Sequence, residues 1–159
     1  MLLEVINVQQ VANTILINGD DILMIKKPSK NWYSAPGGKL EFGESIKQTA
    51  KREFKEETGL HLDKLELSSV FTFVMKEAEK ETQWMMYTFV ANEFSGELLK
   101  ESREGQLEWI SMKKIDEIPM AEGDRFIIKH AISEKTSVLT GTFYYTNEFE
   151  LIDHIIDRD

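Results

Sequence analysis

Near the start of the chain, two runs of mainly apolar residues are separated by a short polar turn. The runs are Asn7–Ile17 and Asp21–Lys27, and the residues at 18–20 between them are Asn-Gly-Asp. An Asn-Gly pair accepts the positive φ angles of a tight turn, so this pattern predicts a β-hairpin. The segment that follows, Pro28–Gly38, has the composition of a loop.

The next segment has the spacing of an amphipathic helix. Ser45 and Gln48 form the pattern of a capping box, and Gly59 stands where a glycine commonly ends a helix. We therefore predict a helix from about Ile46 to Thr58. Successive helical residues are rotated by about 100°, which gives the helix an apolar stripe and a separate lysine stripe. The apolar stripe is Ile46, Ala50 and Phe54, and the lysine stripe is Lys47, Lys51 and Lys55.

The rest of the chain contains further strands and one more helix. Two long runs rich in β-branched and aromatic residues predict a hairpin, and Phe126, Ile127 and Ala131 have helical spacing. The element order predicts one α/β (or α+β) domain over residues 1–159, in which helices cover a mixed sheet. The segments are the hairpin strands Leu65–Ala78 and Thr82–Phe94 around the turn at 79–81, a strand at Gly105–Ser111, a helical turn at Met112–Ile118, a helix at Gly123–Glu134, and a C-terminal strand pair at about 136–159.

The composition limits the partners that the protein can have. Its 28 acidic residues outnumber 19 Lys and Arg, for a net charge of -9, which argues against nucleic acid as a partner. A phosphate compound would have to be contacted through cations. The chain has no cysteine, which excludes disulfides and a thiol nucleophile. Since the sequence shows neither a signal peptide nor an apolar run of about 18 residues, we expect a cytoplasmic protein with no membrane partner.

Three glutamates, Glu53, Glu56 and Glu57, gather near the end of the first predicted helix. Such a cluster is commonly a solvated surface. Here, however, Glu53 and Glu57 project close to the apolar stripe and away from the lysines. Unpaired charge that points toward the protein body is costly, and mutual repulsion raises the pKa values unless a cation lies among the carboxylates. A hard divalent ion such as Mg²⁺ suits carboxylate oxygens and can bridge to phosphates, so the pattern indicates a metal site.

The segment Gly38–Leu60 resembles the Nudix box, the signature of the MutT-type hydrolases. That pattern is a Gly, five residues, a Glu, seven residues, and then Arg-Glu-apolar-any-Glu-Glu-any-Gly-apolar. Every fixed position is filled, and the one departure is an aromatic residue where an aliphatic one is more usual. The matching residues are Gly38, Glu44, Arg52, Glu53, Phe54, Glu56, Glu57, Gly59 and Leu60. The resemblance implies an α/β/α sandwich.

The resemblance also implies an activity, namely the hydrolysis of a pyrophosphate bond in a nucleoside diphosphate-linked compound. Water would attack a phosphorus atom with the help of Mg²⁺ or Mn²⁺. Carried over residue by residue, the resemblance makes Glu53, Glu56, Glu57 and the Gly38 carbonyl the metal ligands, and Glu44 with Arg52 the pair that orients the carboxylates.

Outside the box, the same resemblance points to residues of two other segments. Glu104, with Glu101 as the alternative, matches an acidic residue that joins the metal site or acts as the base, although an ordinary loop glutamate remains possible. The general base is then Glu57 or Glu104. Lys26 and Lys27 end a strand where similar proteins contact phosphate, or they are simply solvated.

The substrate is less strongly indicated. Glu122 and Asp124 are placed to accept hydrogen bonds from a purine edge, or to cap the helix that follows. Trp32, Phe73 and Trp84 are candidates to stack on a base, or are core residues. The favoured substrate is a purine nucleoside triphosphate such as 8-oxo-dGTP. ADP-ribose, dinucleoside polyphosphates, guanosine alarmones, the 5′ end of RNA, and a non-catalytic nucleotide sensor remain open, as does a homodimer formed through the C-terminal strand pair.

Overall fold

Eleven strands and two α-helices make up the regular structure of residues 8–29, 31–76 and 80–158, which are the residues that the computed structural model describes. A 3₁₀ turn spans Met112–Lys114. In chain order the strands and helices are β1 (Gln9–Asn18), β2 (Asp21–Lys27), β3 (Trp32–Ser34), β4 (Gly37–Lys39), α1 (Ile46–Thr58), β5 (Leu60–Asp63), β6 (Glu66–Lys76), β7 (Glu81–Ala91), β8 (Glu93–Gly96), β9 (Gln106–Ser111), α2 (Glu122–Ile132), β10 (Leu139–Thr146) and β11 (Leu151–Ile156).

Most of the strands form one mixed sheet, in the order β11-β10-β6-β7-β1-β2-β3, with β4 added on β1 and β9 on β2. The pairs β1–β7 and β6–β10 are parallel, whereas the hairpins β1–β2, β6–β7 and β10–β11 are antiparallel. The strands β5 and β8 form a separate two-stranded sheet. The predicted mixed sheet is therefore confirmed.

The two helices cover opposite faces of the sheet. Ala12 and Leu16 of β1 pack with Phe54 of α1, whereas Ile15 lies in a cluster with Ile128 of α2. Because neighbouring strand residues point to opposite faces, this alternation places the sheet between the helices. The result is the predicted α/β/α sandwich.

The helix α1 has the predicted ends. The Ser45 hydroxyl accepts a hydrogen bond from the Gln48 backbone N–H at 3.1 Å, and the Gln48 side chain accepts one from the Ser45 N–H at 2.8 Å. Gly59 ends the helix with a φ of 83°. A side chain at this position would also collide with the Glu97 carbonyl oxygen, 2.5 Å from the place of a Cβ. These caps fix the position at which α1 presents its glutamates.

Two expectations about the strands were wrong. The segment predicted as a loop, Pro28–Gly38, contains β3 and the first two residues of β4, which are held by backbone pairing to β2 and β1 rather than by a side-chain pattern. The predicted strand at Thr82–Phe94 is interrupted at Asn92, because the chain leaves the large sheet there and β8 pairs with β5. Asn7 and residues 77–79, included in the predicted hairpins, lie outside the described residues. Neither α1 nor α2, the two α-helices of the described residues, could span a lipid bilayer.

Candidate active site

The three glutamates of α1 differ in burial as their helical spacing predicts. The side chain of Glu53 is 12% exposed and that of Glu56 is 41% exposed, and Glu57 is buried. All three lie on the part of α1 that faces the β4 backbone and the loop after β8. Two carboxylates are thus directed into the protein, where charge needs a partner.

Arg52 and Glu44 form a tight pair at the edge of this carboxylate cluster. Arg52 Nε and Nη2 donate to the two Glu44 carboxylate oxygens at 2.7 and 3.0 Å. The hydrogen bonds from Arg52 are the main cause that lowers the pKa of Glu44 to about 2. Arg52 Nη1 also donates to Glu53 Oε1 at 2.9 Å, and Nη2 donates to the Lys39 carbonyl at 3.0 Å. The guanidinium therefore orients Glu53 and ties α1 to the end of β4.

The two glycines of β4 allow its backbone to touch the carboxylates. The Gly37 N–H donates to Glu57 Oε2 at 3.0 Å. A Cβ on Gly38 would lie 2.3 Å from Glu53 Cδ, so only glycine leaves room for this carboxylate. The assignment of the Gly38 carbonyl as a metal ligand stays a prediction.

Glu57 is a buried acid whose carboxyl group lies close to other carboxylates. Burial is the main cause that raises its pKa to about 7, and the negative charges of Glu53 and Glu104 raise it further. The Gly37 N–H and the Arg103 charge act in the opposite direction. A carboxyl group in this setting gains from any positive charge that arrives.

Arg103 is a second cation beside the carboxylate cluster, in addition to Arg52, and the sequence analysis missed it. Its Nη2 lies 3.2 Å from Glu56 Oε2 and 3.6 Å from Glu53 Oε2. It belongs to a tight turn in which the Ser102 and Gly105 backbones exchange two hydrogen bonds. The only signal in the sequence was a basic residue next to Glu104, in a loop expected to approach the acidic helix.

A groove beside this turn holds other predicted site residues. It has a volume of about 480 Å³ and is lined by Lys26, Pro28 and the segment 101–106. Pairing of Lys26 with Gln106 brings the end of β2 to this segment. Lys26, Glu101 and Glu104 are therefore brought together, and Glu104 is close enough for its charge to raise the pKa of Glu57.

A second cavity, of about 320 Å³, is lined mainly by aromatic side chains. This volume is at the lower end of the range for small-molecule pockets in proteins, which is about 300–1,000 Å³. Asp124 lies in its wall, where burial raises the carboxyl pKa to about 6 and the nearby Lys27 charge opposes the rise. The aromatic cavity is bordered by Trp32, Tyr33, Phe73, Trp84, Tyr145 and Phe149, together with Lys27 and Asp124. All three aromatic residues predicted from the sequence thus border it.

The structure does not bring Glu122 to the aromatic cavity. Its side chain is 60% exposed, and its Oε2 lies 3.3 Å from Arg125 Nε on the outside of α2. Asp124 precedes the buried Ile127 and Ile128 by three and four residues, so it shares their face of the helix. Neither acid caps α2 through a side-chain hydrogen bond, since the N-cap residue is Ala121.

A family model provides the comparison that decides the classification. The model of the NUDIX domain matches residues 8–131. The chain belongs to the Nudix family. It is a Nudix hydrolase, an enzyme that hydrolyses phosphoric anhydride bonds, and proteins of this fold bind small nucleotide substrates.

Similar Nudix proteins support this classification over nearly the whole chain. The uncharacterised Nudix hydrolase YvcI of Bacillus subtilis is 41% identical over 150 residues, which cover 94% of each chain. The crystal structure of the mutator MutT protein from Bacillus halodurans is 44% identical, with a TM-score of 0.89 over 94% of this chain and 98% of that one. An oxidized purine nucleoside triphosphate hydrolase of Danio rerio is 32% identical over 125 residues, which cover 77% of this chain and 75% of the relative.

Nudix hydrolases generally use divalent metal cations, and the residues present here fit such an ion. The acidic cluster offers carboxylate oxygens, which hard divalent cations prefer, and Gly38 leaves space for Glu53. Within the described ranges, no three acidic or histidine side chains are already arranged to coordinate a metal ion. Arg103 is instead hydrogen-bonded to Glu56, so an ion that binds here has to displace it.

Removing the Arg103 guanidinium should therefore tighten metal binding in the absence of nucleotide. We expect Arg103→Ala to lower the Kd for Mn²⁺ by about twofold to fivefold, the range that an exposed ion pair of up to about 1 kcal/mol allows. Electron paramagnetic resonance of free Mn²⁺ measures this directly. Arg103→Lys, which keeps the charge, is the control and should stay close to the wild type. An unchanged or weaker affinity of Arg103→Ala would show that Arg103 does not compete with the ion.

Proposed function

We propose that this Nudix hydrolase converts a purine nucleoside triphosphate, with 8-oxo-dGTP as the leading candidate, to the monophosphate and pyrophosphate. The observation that carries the proposal is the combination of the Arg52-held carboxylate cluster with an aromatic cavity that has the partly buried acid Asp124 in its wall. The carboxylate cluster suits the divalent cations through which phosphates would bind, and the cavity suits a base. The Danio rerio relative is an oxidized purine nucleoside triphosphate hydrolase, which acts on the same substrate class.

In this proposal Glu53, Glu56, Glu57 and the Gly38 carbonyl hold Mg²⁺ or Mn²⁺. When bound, the ion neutralises phosphate charge and lowers the pKa of a water molecule. Glu44 contributes through Arg52, which it fixes at 2.7 Å and which in turn orients Glu53.

The general base is Glu57 or Glu104. Glu57 is buried and receives a hydrogen bond from Gly37, so its carboxylate has a fixed direction. Glu104 lies on the exposed turn that carries Arg103, with Glu101 beside it in the same groove. Either carboxylate can accept a proton from water as it attacks the phosphorus atom.

The phosphates and the base are assigned to neighbouring parts of the surface. Lys26 lines the groove that also contains Glu104, and Lys27 lines the aromatic cavity. Their ammonium groups can therefore contact a chain of phosphates that runs from the groove to the cavity. In the cavity, a purine ring can stack on Trp84, which itself stacks on Phe73 at 5.3 Å, and Trp32 lies in the same wall. The Asp124 carboxyl group can then exchange hydrogen bonds with the edge of the base.

A nucleotide panel tests the proposal. With Mg²⁺ present, we expect the highest kcat/KM for a purine triphosphate among 8-oxo-dGTP, the ordinary triphosphates, ADP-ribose, a dinucleoside polyphosphate and a guanosine alarmone. Phosphorus NMR should identify a monophosphate and pyrophosphate as the products. A higher kcat/KM for any of the last three compounds would contradict the proposed substrate.

The pair Asp124 and Glu122 provides a matched comparison for base recognition within the same panel. Asp124→Asn should raise the KM for the preferred purine by about tenfold, the loss expected when one hydrogen bond to a charged or polar partner is impaired. Glu122→Gln changes the same kind of group two residues away but outside the aromatic cavity, and it should leave KM unchanged. Equal effects of the two substitutions would remove Asp124 from the proposed base site.

A further inference from the structure

Part of the aromatic cavity is built by residues that lie beyond the family match. The match ends at residue 131, whereas Tyr145 and Phe149 belong to the C-terminal hairpin β10–β11. This hairpin joins the large sheet through parallel pairing of β10 with β6. The C-terminal extension thus reaches the cavity from the sheet and contributes two of its aromatic side chains.

Tyr145 connects the hairpin to the helix that carries Asp124. Its hydroxyl accepts a hydrogen bond from the Gly123 N–H at 2.6 Å, and the side chain is only 1% exposed. A Cβ on Gly123 would lie 2.4 Å from this hydroxyl, so glycine is needed for the contact. Because Gly123 directly precedes Asp124, the hydrogen bond fixes the first turn of α2 at the point where Asp124 enters the cavity.

The Tyr145 ring is also fixed from a second side. It stacks on Phe73 with a centroid distance of 6.0 Å and an interplanar angle of 8°. Burial raises the pKa of Tyr145, and the charge of Asp124 raises it further, so the phenol keeps its proton at neutral pH. A substitution that removes only the hydroxyl therefore removes a defined hydrogen-bonding group and no charge.

Phe149 has an unusual backbone conformation for an aromatic residue. Its φ is 61°, in the left-handed region that bulky side chains rarely adopt. The turn holds it there, since the Phe149 N–H donates to the Thr146 carbonyl at 3.0 Å and the Thr146 N–H donates to the Glu150 carbonyl at 2.9 Å. Strain of this kind persists where the surrounding structure requires a particular side-chain position.

In this conformation the Phe149 ring forms part of the lining of the aromatic cavity. Its ring meets Trp32 of β3 edge to face, with centroids 6.1 Å apart at 83°, and it lies 6.2 Å from the Tyr145 ring. Trp32 and Phe149 are far apart in sequence, so their contact joins strand β3 to the C-terminal hairpin at one side of the cavity. A base that enters the cavity would rest against this aromatic wall.

We propose that the hairpin Leu139–Ile156 determines base specificity: Phe149 forms a wall against the base, and Tyr145 is a positioning residue that directs Asp124 at the base edge. The inference rests on the proposed function, because it assigns the aromatic cavity to the base of a nucleotide. It adds that this specificity comes from a segment outside the family match.

Variants of the hairpin test the two roles separately. Phe149→Ala should raise the KM for the preferred purine triphosphate by about tenfold, the size of effect that loss of one aromatic contact with a base produces, and should leave kcat within about twofold. Phe149→Tyr keeps the aromatic ring and should therefore have the KM of the wild type. Tyr145→Phe should reduce the ratio of kcat/KM between purine and pyrimidine triphosphates by about fivefold or more, as expected when one recognition hydrogen bond loses its geometry.

The control is Tyr144→Ala. Tyr144 lies in the same strand but on the opposite face, with Lys76 Nζ 5.5 Å from its ring centroid, so this variant should keep wild-type KM and selectivity. Thermal unfolding of each variant checks folding. If Phe149→Ala does not fold, Phe149→Leu keeps most of the volume without an aromatic face and should show the same rise in KM.

The results for the hairpin and for the proposed function are separable. If the wild type hydrolyses purine triphosphates but Phe149→Ala and Tyr145→Phe keep KM and selectivity within twofold, the hairpin has no role in specificity and the proposed function stands. If the wild type acts on no triphosphate, the proposed function is wrong. In that case, calorimetry with purine and pyrimidine monophosphates in the absence of metal still tests whether the hairpin contributes to base recognition. Equal affinities of the wild type and Phe149→Ala for these nucleotides would overturn the inference.

Discussion

Glu57→Gln should give a folded protein that hydrolyses its nucleotide about a thousandfold more slowly than the wild type, within the range attributed to a lost catalytic acid or base. The substitution keeps the size of the side chain, and the amide oxygen can still accept the hydrogen bond that Gly37 donates at 3.0 Å. It removes the negative charge that is proposed to bind the ion or to accept a proton. Steady-state kinetics with Mg²⁺ measure the loss, and Glu122→Gln serves as the matched control.

The same substitution should make the metal-free protein less sensitive to pH. Glu57 has a pKa of about 7 in the folded protein, above its ordinary value of 4.5. A raised pKa means that the folded state binds the Glu57 proton more tightly than the unfolded state does. The contribution of this proton to the free energy of unfolding is therefore complete below about pH 4.5 and is lost as the pH rises through about 7. The loss is at most about 3 kcal/mol, since each pH unit corresponds to about 1.4 kcal/mol.

Urea unfolding between pH 4.5 and pH 8, in the presence of a chelator, checks this second effect. The free energy of unfolding of the wild type should fall over that range relative to the free energy of unfolding of Glu57→Gln. Asp124 also has a raised pKa, but it is present in both proteins, so the difference between their curves isolates Glu57. If the free energies of unfolding of the two proteins ran parallel with pH, Glu57 would not be a buried carboxyl group with a raised pKa. If Glu57→Gln kept more than about a tenth of the activity, the carboxylate would have no essential role in the reaction.

The sequence was most informative where the structure depends on local spacing. Ser45, Gln48 and Gly59 lie within or beside α1, and the helix has the predicted bounds. The inward direction of Glu53 and Glu57 follows from the rotation per residue alone. The same argument could have separated Asp124 from Glu122, since only Asp124 is three and four residues before the buried Ile127 and Ile128.

The features that the sequence did not reveal depend on contacts between distant segments. The strands β3 and β4 have three residues each and are defined by the strands they pair with. Arg103 reaches Glu56 only because β9 pairs with β2 and brings the preceding turn toward α1. The aromatic residues at the end of the chain were expected in a strand pair, but their approach to Trp32 depends on pairing of β10 with β6.

Gly38→Ala should lower kcat/KM by about a hundredfold, the effect that a displacement of about 1 Å in a catalytic group can have. The new Cβ would lie 2.3 Å from Glu53 Cδ and 2.5 Å from Glu53 Oε2, so the carboxylate has to move. The φ angle of Gly38 is not in the left-handed region, and alanine therefore causes no conformational strain of the backbone itself. Kinetics and the Kd for Mn²⁺ measure the loss.

Gly19→Ala is the control for a glycine substitution as such. Gly19 has a φ of 62° but no atom within 4 Å of the place of its Cβ, so alanine there should reduce stability by about 1 kcal/mol without changing Mn²⁺ affinity. If Gly38→Ala stayed within threefold of the wild type in both kcat/KM and Mn²⁺ affinity, close contact between the β4 backbone and Glu53 would have no role in the site.

A double-mutant cycle decides whether Gly38→Ala acts through Glu53. Glu53→Asp shortens the side chain by one methylene group and withdraws the carboxylate from the position that the new Cβ would occupy. If the collision is the cause, Gly38→Ala should cost much less Mn²⁺ affinity in the Glu53→Asp background than in the wild type, because residues in contact do not have additive effects. Additive losses would mean that the alanine acts elsewhere, for example on the hydrogen bond from Gly37 to Glu57. The cycle therefore tests the contact that links Gly38, at the start of the Nudix box, to Glu53, the first of its proposed metal ligands.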